Sequence, residues 1–182
     1  MHRLIRERRK AALTNYKRRI ALLKGGAPRV VVRKTNTGVI MQIVRYDPKG
    51  DVVIAAANSF ELKKFDWPAR SNMPTAYLTG LLLAKKAKTA NKDELVLDIG
   101  LYKPVKSSMV FAAAKGSLDG GLKIKGSIEV DESRIRGDHI AKYAATMKGG
   151  SSKQFAAYAE KKVDISDIGK IFDNAKNKIM NA

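Results

Sequence analysis

Asp98 closes the apolar run ELVLDIG, Glu94 to Gly100, and a carboxylate at a strand end is a feature that catalysis can use. Glu94 and Asp119 are the further acids that a magnesium site for phosphoryl transfer would draw on. A simpler role for Asp98 is to accept a hydrogen bond or pair with a nearby base, and that role is the one expected. His2 and His139 are too few and too distant in sequence for a metal or general-base site. Gly25 and Gly26 lack the Lys and Ser/Thr spacing of a phosphate-binding loop. With no cysteine in 182 residues, disulfides, thiolate zinc sites and cysteine nucleophiles are excluded. An enzyme is disfavoured, and no metal or cofactor is expected.

The chemistry that the composition does favour is the recognition of polyanions. The chain carries 36 Lys and Arg against 17 Asp and Glu, a formal charge of +19. Neutralising phosphates and releasing their counterions drives binding by such a protein. The bases are concentrated at the start: Arg3, Arg6, Arg8, Arg9, Lys10, Lys17, Arg18, Arg19, Lys24, Arg29, Arg33 and Lys34 stand against the single acid Glu7. No acidic segment elsewhere is dense enough to balance them, so an external anion is expected to do so. The run MHRLIRERRKAALTNYKRRIALLK also has the composition of a transit peptide, and an acidic membrane is a second candidate partner. No apolar run approaches the ~20 residues needed to span a bilayer.

These bases need elements to hold them. Asn15 to Lys24 reads as a helix, with Leu13, Tyr16, Ile20 and Leu23 at helical spacing to lay an apolar edge on a core; Gly25, Gly26 and Pro28 end it. PRVVVRKTNTGVIMQIV, Pro28 to Val44, alternates with a period of two around a turn at Asn36 to Gly38, a β-hairpin. DPKGD turns the chain into a third strand, VVIAAAN, and a polar stretch leads to a helix from Met73 with Pro74 in its first turn. Tyr77, Leu81 and Ala84 face its core, while Lys85, Lys86 and Lys88 suit the dipole at its end. ELVLDIG is then a strand reached through a helix, hence parallel to one of the first three, and about Ser108 to Leu118 is a second helix stopped by Gly120 and Gly121. The fold class is α/β: a β-β-β-α-β-α core in which helices pack on a mixed sheet.

Beyond Leu122 the pattern becomes helical. RIRGDHIAKYAATM and KQFAAYAEKKV are short amphipathic stretches around the flexible KGGSSK, and Ile165, Ile168, Phe172, Ala175 and Ile179 mark a last helix. Such pieces bury little alone, so they should dock on the core or a partner. Three regions follow: a basic arm over 1–27, an α/β core over 28–122 and a helical extension over 123–182.

NYKRRIALLKGGAPRVVVRKTN, MQIVRYDPKGD, ELKKFDW, PTAYLTGLLLAKKA, LVLDIGLYKPVKSSMVFAAAKGSLDGGL and RIRGDHIAKYA resemble, in order and across most of Asn15 to Ala144, successive blocks of the archaeal ribosomal protein L eighteen family. That family, related to eukaryotic ribosomal protein L five, belongs to the large subunit and binds 5S ribosomal RNA. The resemblance implies that the arm and hairpin contact this RNA through Arg8, Arg9, Tyr16, Lys17, Arg18, Arg19, Arg29, Arg33 and Lys34. It implies the same of Tyr102, Lys103, Lys106, Ser107 and Ser108 in the loop after Asp98, with Arg70 and Asn72 as further candidates. Tyr16 and Tyr102 are the aromatic rings available for stacking on unpaired nucleotides, although Tyr16 also lies on the apolar edge of its helix. The other expected partners are 23S-type large-subunit RNA and neighbouring large-subunit proteins, with no membrane, in a cytoplasmic ribosome. The family blocks run through Asn15 to Lys24 without a break for a cleavage site, against the transit-peptide reading.

Overall fold

In RVVVRK and VIMQIVR the apolar residues Val30, Val32, Val39, Met41 and Ile43 recur with a period of two, giving two strands that turn these side chains toward the same apolar layer. The computed structural model describes residues 7–87, 94–146, 155, 158 and 165–181. Its sheet contains β1 (Arg29–Lys34), β2 (Val39–Arg45), β3 (Val52–Asn58), β4 (Glu94–Asp98) and β5 (Lys123–Ile124) in the order β3-β2-β1-β4-β5. β1 is antiparallel to β2 and β2 to β3, whereas β4 runs parallel to both β1 and β5. The expected mixed α/β sheet is therefore present. It gains one element, the two-residue β5, too short to leave a periodic signal.

Val30, Val32, Val39, Met41, Ile43, Ala55, Ala57 and Leu95 are buried and form the apolar side of the sheet. On it lie α3 (Met73–Lys86) and α4 (Met109–Asp119). Every residue of α3 from Met73 to Ala84 is buried, because the sheet, α4 and the last helix enclose it. Asn72 caps its start by accepting from the Thr75 amide at 3.0 Å, and Pro74 occupies the first turn as expected. The two helices touch backbone to backbone at Gly80 and Gly116. A Cβ on Gly116 would stand 2.0 Å from the Tyr77 carbonyl oxygen, and one on Gly80 would stand 2.0 Å from that of Ala113.

Before α3, the stretch read as polar connection forms a 3-10 helix, Ser59–Phe65, closed by a capping box between Asn58 and Glu61. Trp67 follows it into the core and donates its indole N–H to Thr75 Oγ1 at 2.8 Å.

The N-terminal part holds α1 (Glu7–Lys10) and α2 (Tyr16–Lys24). Asn15, read from the sequence as the first helical residue, instead caps α2 by accepting from the Arg18 amide, and Gly25 ends the helix as expected. The apolar edge expected to enter the core does not: no residue of α2 is buried, and Leu13 and Ile20 are 61% and 55% exposed. Guanidinium hydrogen bonds attach this helix instead.

The C-terminal extension docks on the core. RIRGDHIAKYAATM divides at Gly137, whose φ of 90° separates α5 (Glu132–Arg136) from α6 (Asp138–Thr146). α7 (Ile168–Asn181) buries Ile168, Phe172, Ala175 and Ile179 in the same apolar cluster as the sheet. Phe172 meets Trp67 edge-on at 6.0 Å and Tyr77 at 5.7 Å between ring centroids. His2, Lys88 and the KGGSSK and KQFAAYAEKKV stretches lie outside the described residues, apart from Phe155 and Tyr158.

Candidate nucleic-acid interface

Because β1 and β4 are parallel, Arg29, Val31 and Arg33 share a sheet face with Val96 and Asp98, the face away from α3 and α4. Asp98 is buried there. Its Oδ2 accepts from Arg29 Nη1 at 2.9 Å, while Oδ1 accepts from Arg33 Nη2 at 3.1 Å and from the Gly100 amide at 2.9 Å. Arg33 Nη1 also donates to the Asp98 and Val32 carbonyls, each at 2.8 Å. Gly100 is required beside it: φ is +63°, and a Cβ would lie 2.9 Å from the Arg33 Cζ.

A second carboxylate extends the network to α2. Asp51 Oδ2 accepts from Arg29 Nη2 and Arg19 Nη2, both at 2.8 Å. Burial alone would raise the Asp51 carboxyl, but hydrogen bonds and charge from Arg19 and Arg29 hold it below the ordinary aspartate value. Arg18 Nη1 donates to the Gly100 carbonyl at 2.8 Å and reaches that of Tyr102 at 3.4 Å. The arginines of α2 therefore bind acceptors of the core, while Lys17 and Lys24, seven residues apart and so on one face, are exposed.

The remaining candidates gather at the end of the sheet where β1 and β4 finish. Tyr102 donates its hydroxyl to the Lys34 carbonyl at 2.7 Å, joining the loop after β4 to the hairpin turn. Ser71 Oγ donates to the Thr35 carbonyl at 3.0 Å, which brings the loop carrying Arg70 to the same turn. Lys34, Arg70, Lys103 and Lys106 are all exposed around it; Lys106 has only Glu129 at 3.8 Å, a pair open to solvent. Ser107 holds a φ of 53°, and Ser108 occupies the N-cap position of α4 without a side-chain capping bond.

The settings of these candidates differ from what the sequence suggested. Arg29 is 2% exposed and is held by two carboxylates on the sheet face. The bases of the arm and hairpin are also less free than the absence of a dense acidic segment suggested, since Asp51 and Asp98 between them bind Arg19, Arg29 and Arg33. Asn72 is committed to the α3 cap and to donating to the Tyr158 hydroxyl at 3.0 Å. Tyr16 is half-buried, between its two readings, and the side chains of Arg8 and Arg9 lie outside the described positions.

The carboxylates considered for catalysis do not converge. Glu94 pairs with Lys125 at 3.1 Å, and Asp119 pairs with Lys115 at 3.1 Å and accepts from the Tyr77 hydroxyl at 2.9 Å. Burial and then Asp119 push that hydroxyl's pKa well up. Among the described residues, no cluster of three or more His, Asp or Glu is arranged to hold a metal, and no helix is long and apolar enough to cross a membrane.

Sequence reasoning missed Asp51, Gly100 and the exposed Leu101 and Val105, 57% and 58% accessible in the same loop as Lys103 and Lys106. An acid preceding a strand in so basic a chain was the available signal for Asp51. The other three depend on how the loop folds.

The chain is similar to known ribosomal proteins. The family described as ribosomal large subunit proteins 60S L5 and 50S L18 matches residues 2–96. The large ribosomal subunit protein uL18 of Thermofilum pendens (strain DSM 2475 / Hrk 5) is 44% identical over 188 residues, covering 100% of this chain and 96% of that protein. The protein of the same description from Korarchaeum cryptofilum (strain OPF8) is 44% identical over 177 residues, covering 94% of this chain and 91% of its own length. With a profile match over more than half its length and relatives aligned almost end to end, the chain belongs to the family of ribosomal large-subunit proteins that includes 60S L5 and 50S L18.

Proposed function

We propose that this large-subunit protein binds 5S ribosomal RNA and helps attach it to the 23S-type RNA, with neighbouring ribosomal proteins as further partners. Its family comprises structural components of the cytoplasmic ribosome rather than enzymes. The observation that supports the reading is the division of labour among the bases. Buried Arg29, half-buried Arg19 and Arg33 and exposed Arg18 are tied by hydrogen bonds to core acceptors and brace α2, the hairpin and the loop after β4, and exposed Lys17, Lys24, Lys34, Lys103 and Lys106 stand on the elements so braced. A rigid array of positive charge fits a folded RNA of one shape better than it fits a general polyanion.

Phosphate contacts by the lysines supply affinity that falls with salt. The exposed apolar side chains Leu101 and Val105, beside Lys103 and Lys106, supply contact with ribose and base faces that does not. The test is binding of the full chain to 5S ribosomal RNA with transfer RNA and a duplex RNA of equal length as competitors, over a range of salt. A preference for 5S RNA that survives high salt supports the reading; equal competition by all three RNAs overturns it.

A further inference from the structure

α2 has nine residues, none fully buried, and Tyr16, Leu22 and Leu23 are only half-buried, so a short helix with so little apolar cover needs polar anchors to hold its position. It is fixed by its cap, by Arg18 on the loop after β4, and by Arg19 on Asp51. Asp51 is in turn held by Arg29, a side chain 2% exposed that Asp98 grips from the other side. The chain Asp98, Arg29, Asp51, Arg19 thus runs from the sheet to the helix through contacts of 2.8 to 2.9 Å.

We propose that Asp51 is a positioning residue for RNA recognition: by clamping Arg19 to Arg29 it sets the direction in which α2 presents Lys17 and Lys24. The inference rests on the RNA-binding function proposed above. Its content is that an acidic side chain in a strongly basic protein promotes binding of a polyanion. Plain electrostatics requires the opposite, since removing an acid raises the formal charge from +19 to +20 and strengthens attraction to any RNA. The two effects differ in sign and in selectivity. Loss of a clamp lowers the docked population of α2 and weakens only the partner that needs Lys17 and Lys24 in place; if about one tenth of the molecules stay docked, affinity falls about tenfold.

The experiment measures Asp51→Asn and Arg19→Lys in the full chain, the second keeping the charge while losing the planar fork that bridges to Asp51. Binding to 5S ribosomal RNA and to transfer RNA is read beside amide hydrogen exchange over residues 16–24. We expect both variants to lose 5S affinity by about threefold to tenfold, to bind transfer RNA as well as before or better, and to exchange faster in α2. Unchanged or increased 5S affinity in both variants overturns the proposal, as does α2 exchange equal to that of the parent. A parent chain with no preference for 5S RNA instead removes the function on which the inference rests, while the exchange measurement still reports whether Asp51 clamps the helix. If Asp51→Asn fails to fold, Arg19→Lys carries the test, because it leaves Arg29 between both of its carboxylates.

Discussion

Arg29 and Asp98, 69 residues apart in sequence, meet at 2.9 Å across the parallel strands β1 and β4. Their side chains are 2% and 9% exposed, so neither charge has water to fall back on. Removing one member of a buried ion pair strands the other and costs about 3–5 kcal/mol. Arg29→Ala should show a loss of that size in urea unfolding, whereas the salt dependence of RNA binding by the folded fraction should stay as in the parent. A stable Arg29→Ala with a shallower salt dependence would mean that Arg29 touches phosphate.

Asp51 predicts a pH dependence with a definite sign. Its folded pKa lies below the unfolded one, so the unfolded chain takes up the proton more readily and acid favours unfolding. The stability contributed by its pairing with Arg19 and Arg29 is complete above about pH 4 and is lost as pH falls through the lower folded value. Thermal melts between neutral and strongly acidic pH should have a shallower acid limb in Asp51→Asn than in the parent.

Gly116 allows α3 and α4 to approach. An added Cβ would lie 2.0 Å from the Tyr77 carbonyl oxygen, a backbone atom that cannot swing away. Gly116→Ala should therefore destabilise the protein by about 1–3 kcal/mol despite the higher helix propensity of alanine. Calorimetry checks this, with a raised Tm as the contrary result.

Phe172 fastens the last helix between Trp67 and Tyr77. Phe172→Ala removes a ring only 2% exposed and should cost about 3–5 kcal/mol. Trp67 is the sole tryptophan, so its emission reports the change directly: a red shift is expected as the indole loses its edge-on neighbour.

The hairpin, the Pro74 helix, the parallel strand ending at Asp98 and the core role of Tyr77 were legible because each follows from periodicity or capping within a dozen residues. The faces of charged residues were not. Arg29 alternates with Val30 and so belongs on the other side of its strand, a position that commonly faces solvent. Its burial depends on Asp98 and Asp51, and only the strand register and the β2 to β3 turn bring them there. The same blindness applied to α2, where helical spacing suggested an apolar edge while tertiary hydrogen bonds to arginine decided which side faces the core. β5 and the 3-10 helix are short pieces stabilised by neighbours, by pairing with β4 and by the capping box at Asn58 respectively.

In the function proposed above, exposed lysines contact RNA while buried Arg29 scaffolds them, and the salt dependence of 5S RNA binding separates the two roles. Lys17, Lys34, Lys103 and Lys106 should be replaced by alanine together and compared with Arg29→Ala and the parent chain. We expect the slope of log affinity against log salt to fall by roughly 0.7 to 0.9 for each lysine that contacts a phosphate, and to be unchanged by Arg29→Ala. A slope unaffected by the four lysine substitutions, or lowered by Arg29→Ala, would contradict this assignment.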